Sequence, residues 1–103
     1  MAKTKITVVK RLSRNDLFGD NPPADFAEKV DPQCRVFKEG QEFFFEHDCP
    51  EGFCSWAFAD IHREIMAIHF GASYPWIKEK NVAITCCTDG LRPVIFRVER
   101  IED

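Results

Sequence analysis

Ser55-Trp-Ala-Phe-Ala-Asp-Ile-His-Arg-Glu-Ile-Met-Ala-Ile-His-Phe-Gly71 is the stretch on which the fold turns. Ala57, Phe58, Ile61, Ile65 and Ile68 recur at intervals of three and four residues and so fall on one stripe of a helix. Asp60, Arg63 and Glu64 fall away from that stripe and read as a solvated face. Trp56, Ala59, Met66 and Phe70 lie on a second face that is partly covered. Ser55 offers a hydroxyl to the first free amides, and Gly71 permits the left-handed turn that ends a helix. The pattern predicts one core-facing helix over about 55–70.

The segments around that helix alternate with period two, as strands do. Ile6-Thr-Val-Val-Lys-Arg11 is rich in β-branched residues. Glu42 to Glu46 places Phe43 and Phe45 on one face and Phe44 on the other. Val82 to Cys87 is a third strand, and Val94 to Ile101 a fourth with Val94, Phe96 and Val98 pointing one way. Asp89-Gly90 between them is a hairpin signal, and Gly40 sits at the tight point of the turn ahead of the second strand. Leu12 to Asp31 is irregular, apart from a short helix near 23–30 that Pro22 and Pro23 would open. The expected fold is α+β: about four mostly antiparallel strands in a curled or half-barrel sheet, packed on one main helix.

A chain of 103 residues fits a single domain over 1–103. Ten phenylalanines predict an aromatic core. The net charge of −3 argues against a surface built for nucleic-acid phosphates, and no apolar run is long enough for a membrane span. Met1 to Lys5 shows no apolar leader. The expected location is therefore cytoplasmic, where the five cysteines would be reduced thiols, metal ligands or redox groups.

Those cysteines are the one constellation that could carry chemistry. Cys34 precedes a strand, Cys49 and Cys54 bracket Pro50-Glu-Gly-Phe53, and Cys86-Cys87 end the third strand. Strand alternation puts Cys86 with Val82 and Ile84, which reads as core, and Cys87 with Ala83 and Thr85, which makes Cys87 the functional candidate. Cys54 is either a thiol activated by the helix N-terminus or a small buried hydrophobe in register with Ile61. Catalytic candidates are Cys54, Cys87 and Asp89, the last able to orient a thiol beside Arg92. A metal site would take Cys34, Cys54 and Cys87, with Cys49, His47, His62 or His69 as additions; thiolates of this kind suit zinc or an iron–sulfur cluster. Cys-x4-Cys is looser than a zinc knuckle, and the seven-residue spacing of His62 and His69 is not that of a helical zinc pair. Trp56, Trp76 and Arg92 are the candidate ligand-binding residues, Trp76 by walling a pocket with Tyr74 and Trp56.

Cys49-Pro-Glu-Gly-Phe-Cys-Ser-Trp-Ala-Phe-Ala-Asp60, Phe70-Gly-Ala-Ser-Tyr-Pro-Trp76 and Cys86-Cys-Thr-Asp-Gly-Leu-Arg-Pro93 resemble a family of small uncharacterised bacterial and archaeal proteins. The resemblance spans nearly the whole chain. It implies that Cys34, Gly40, Cys54, Trp56, Pro75, Trp76, Cys87, Asp89 and Pro93 are the recurring positions, and it brings no established activity. The leading expectation is a non-enzymatic binding or accessory domain whose cysteine-lined site takes a metal or small ligand. The alternatives are a small cysteine-dependent enzyme or redox protein, and an interaction or oligomerisation domain with Trp56, Phe70 and Tyr74 at its contact.

Overall fold

The computed structural model describes residues 2–26 and 31–102. The chain runs β1 (Ala2–Arg11), α1 (Arg14–Phe18), β2 (Glu42–Phe45), α2 (Ser55–His69), β3 (Val82–Cys86) and β4 (Val94–Glu102). The four strands form one open antiparallel sheet in the order β2-β1-β4-β3, with α2 against one face. The α+β expectation is met.

The first and last strands are the two central ones, and their pairing runs from Ala2↔Glu102 to Arg11↔Val94. Register puts Ile6 opposite Phe43 and Val98, and Val8 opposite Phe96. These residues share the face turned to the helix, where Ile6, Val8, Phe96 and Val98 are fully buried. A register irregularity between Val8 and Lys10 breaks the alternation, and Val9 is left half exposed. The opposite face carries charges instead. Lys5 bridges Glu42 (3.3 Å) and Glu99 (3.1 Å), and Arg97 pairs with Glu99 and Glu79, both at 2.6 Å.

Helix α2 buries Ala57, Ile61, Ile65 and Ile68, as its periodicity requires. It begins one residue earlier than a Ser55 cap implies, because Cys54 holds the N-cap position with extended backbone and no side-chain cap bond. Its end is a Schellman arrangement. The Gly71 N–H donates to Ile68 (3.0 Å) and the Ala72 N–H to Ala67 (2.9 Å), with Gly71 at φ +96°. The solvated face is corrected at two positions: Glu64 is buried and Asp60 half-buried. Helix α1 was not foreseen, although Ser13 and Asp16 form a reciprocal capping box. Residues 23–26 of the expected short helix are not helical, and 27–30 lie outside the described residues. No helix among the described residues is long and apolar enough to cross a membrane.

The core is aromatic at one end. Phe37, 1% exposed, comes from a segment without regular structure. Its ring meets Phe53 at 4.9 Å, Phe96 at 5.2 Å and Phe43 at 5.8 Å, all edge to face. Arg11 secures the same segment from outside, pairing with Glu39 (2.8 Å) and donating from Nη1 to the Cys34 carbonyl (3.0 Å). Replacing Phe37 by Ala should cost about 3–5 kcal/mol in urea unfolding, as a large core deletion does, and Phe37→Leu clearly less. A loss under about 1 kcal/mol for Phe37→Ala would show that the ring anchors nothing.

Candidate functional site

Three segments far apart in sequence meet at the end of the sheet beside the start of α2. There they enclose an open cleft of about 480 Å³. Cys34 enters from the 31–40 segment, Cys54 from the helix N-cap, and Cys87 from the residue after β3. Phe37, Ala57 and Val94 give it an apolar floor, while Trp56, Asp89 and Arg92 stand around it. The sequence candidates Cys34, Cys54, Cys87, Trp56, Asp89 and Arg92 thus line one cleft.

The loop between β3 and β4 is longer than a two-residue hairpin, and Asp89 organises it. Its Oδ1 accepts from the Leu91 N–H (2.9 Å) and the Arg92 N–H (3.2 Å), and its Oδ2 from Arg92 Nε (3.2 Å). One carboxylate therefore folds the turn and holds the guanidinium against it. Asp60 performs a similar task from α2, accepting the Thr88 N–H at 2.8 Å. Trp56 Nε1 donates to the Thr88 hydroxyl at 3.2 Å, which steadies an indole that is 65% exposed. Sequence reasoning assigned Asp60 to solvent and overlooked Thr88; a polar residue one turn along the helix from Trp56 was the available signal.

The Cys86 and Cys87 assignments are reversed. Cys86 is exposed and Cys87 is buried. The inward face of β3 carries the small residues Ala83 and Thr85, opposite Val98 and Phe96, whereas Ile84 and Cys86 point outward. The more apolar alternation on an edge strand was the solvent-facing one. Cys87 remains a cleft residue, but as part of its buried wall. Burial pushes its thiol above the ordinary range, and the N–H groups of Asp89 and Val94 (the latter 3.3 Å from Sγ) offset this only in part. Burial and the neighbouring Cys54 likewise raise Cys49. Both thiols are thus neutral at physiological pH, unlike activated nucleophiles.

The remaining candidates lie elsewhere. Cys49 packs against the core with its Sγ 3.7 Å from the Pro50 carbonyl. His47 is exposed near Phe44 and Lys3, and His62 is exposed against Phe58. His69 Nδ1 is 2.9 Å from the Thr4 hydroxyl. No histidine lines the cysteine cleft. Trp76 does not share a pocket with Trp56; it stands with Tyr74 over a separate cleft. The five cysteines are all free. Among the described residues, no three or more His, Cys, Asp or Glu side chains are grouped so that they could hold a metal ion. Of the residues named for a metal, Cys34, Cys54 and Cys87 line one cleft, whereas Cys49, His47, His62 and His69 stand outside it.

Comparison with models of known protein families, with curated proteins and with solved structures finds no match to this chain.

Burial of Cys87 has a consequence for stability. Its folded pKa exceeds the unfolded one, so its contribution is complete below the ordinary thiol pKa and is lost as pH rises toward the folded value. Urea midpoints measured from pH 7 to 10 should fall with pH, and Cys87→Ala should flatten part of that fall. An unchanged slope in the variant would contradict the assignment. In mass-spectrometric alkylation of the native protein, Cys86 should react far ahead of Cys87.

Proposed function

We propose that the chain is a small ligand-binding domain whose site is the cleft of Cys34, Cys54 and Cys87. One observation carries the reading. An open cleft of about 480 Å³ joins an apolar floor to a small set of convergent polar groups, which is the make-up of a small-molecule site. The neutral thiol of Cys87, with Phe37, Ala57 and Val94, suits a compact apolar body. Trp56 offers a flat wall at the entrance. Arg92 keeps one side engaged with Asp89 through Nε, which leaves its terminal nitrogens to meet an anionic group. Arg35, whose side chain is 81% exposed and pairs with Asp31 at 3.6 Å, stands at the same opening. The favoured ligand is therefore a small, largely apolar carboxylate.

This reading is preferred to cysteine-based catalysis because the cleft supplies no histidine base and the Cys87 thiol is held neutral. Benzoate and its uncharged counterpart benzamide test the proposal by amide chemical-shift titration. Benzoate should move the Thr88, Gly90 and Val94 amides in a saturable way, and benzamide should bind at least about tenfold more weakly. Arg92→Gln should remove that preference. Equal binding of the two compounds, or an Arg92→Gln variant that still prefers benzoate, would refute the proposed class.

A further inference from the structure

A second cleft, of about 410 Å³, opens along β3 at the edge of the sheet. Its base holds Glu64, and its outer wall is Tyr74 and Trp76. Glu64 is the one charged residue classed as buried among the described residues, at 9% exposure. It sits on α2 amid Ile61, Ile65 and Ile68. A carboxylate in that position costs free energy unless a cation and hydrogen bonds satisfy it. Thr85 donates its hydroxyl to Oε1 at 3.2 Å, and Arg63 donates Nε to Oε2 at 2.7 Å.

The second partner is of an unusual kind. Arg63 adjoins Glu64 in sequence, and neighbouring positions on a helix do not face each other. The Arg63 side chain is 89% exposed and folds back from solvent to cover the carboxylate. Thr85 is thus a fixed partner on the sheet, whereas Arg63 is a cation on an exposed arm. The carboxylate thus has one positive partner, and that partner reaches it from solvent.

The aromatic wall makes the same point independently. The Tyr74 and Trp76 rings lie 5.0 Å apart at an interplanar angle of 33°, and Trp76 is 75% exposed despite its size. The loop that carries them is fixed at its ends. Asn81 adopts φ +58°, donates its N–H to the Ser73 hydroxyl oxygen (2.9 Å), and donates from Nδ2 to the Ala72 carbonyl (3.0 Å). A stacked aromatic pair with an exposed indole beside a buried carboxylate has the make-up of a site for an organic cation, attracted by the ring quadrupole and by the full negative charge.

We propose that the Glu64–Tyr74–Trp76 cleft binds a free quaternary ammonium compound in competition with Arg63. A methylated ammonium is favoured because it gives up little hydration on entry and meets the rings over its whole surface. This site is separate from the cysteine cleft and does not depend on the function proposed there.

Choline and its uncharged carbon isostere, 3,3-dimethylbutan-1-ol, test it on the full chain. The readout is the Trp76 indole N–H and the Ala83 to Thr85 amides during titration. Choline should saturate, and the isostere should bind at least about tenfold more weakly. Glu64→Gln keeps the shape and the Thr85 contact while removing the charge, and should weaken choline binding at least about tenfold. Trp76→Ala alters only an exposed side chain and should weaken it severalfold. Arg63→Ala should tighten it. Equal binding of choline and the isostere, or choline binding unmoved by both Glu64→Gln and Trp76→Ala, would overturn the site; weaker binding to Arg63→Ala would overturn the competition. Acetylated, amidated trimethyllysine should bind no better than choline, and a tenfold preference for it would reassign the ammonium head to a protein side chain.

Discussion

The edge-to-face packing of Phe37 on Phe53 and Phe96 is the contact on which the rest of the molecule depends. Phe96 lies on a central strand, Phe53 sits just ahead of α2, and Phe37 belongs to a segment with neither helix nor strand. One ring therefore ties together the sheet, the entry of the helix and an otherwise unsupported stretch of chain. Without it, only the half-buried Cys34 would hold residues 32–40 against the core by apolar contact, because Arg35, Val36, Lys38 and Glu39 are exposed. The ion pair of Arg11 with Glu39 and the bond from Arg11 to the Cys34 carbonyl are partly exposed, and such contacts contribute little alone. They orient a segment that the aromatic ring has already secured.

The cysteine cleft follows from that anchor. Cys34 lies three residues before Phe37, Cys54 one residue after Phe53, and Cys87 close to Val94 and Phe96 on the paired strand. Each thiol is carried to the same place by an aromatic or aliphatic neighbour that is fully committed to the core. The polar groups of the cleft are supported in turn, Arg92 by Asp89, and Trp56 by Thr88, which Asp60 holds. A cleft framed this way has its polar groups oriented in advance.

Much of this was legible in the sequence wherever one periodicity dominated. The stripe of Ala57, Ile61, Ile65 and Ile68 fixed the helix, Gly71 fixed its end, and the alternation of Val94, Phe96 and Val98 fixed the inward face of β4. Cys34, Cys54 and Cys87 line one cleft, and in the sequence only their positions at element ends pointed to it, not any measure of distance. The errors share a cause. On β3, an edge strand, the helix lies over the small residues Ala83 and Thr85, and so the outward face carries Ile84 and Cys86. Hydropathy alone then reverses the strand. The charge of Glu64 outweighs its register in a reading of the helix alone; its partner Thr85 lies 21 residues away on β3, outside any local window. Trp76 was grouped with Trp56 by residue type, while the chain sends them to different clefts.

The account makes the placement of Phe37 its central claim, and a nuclear Overhauser spectrum of the aromatic protons tests it most directly. The ring protons of Phe37 should show strong cross-peaks to the rings of Phe53 and Phe96. Phe37 signals at unfolded-chain positions, without contacts to Phe96, would contradict the claim and with it the assembly of the cysteine cleft.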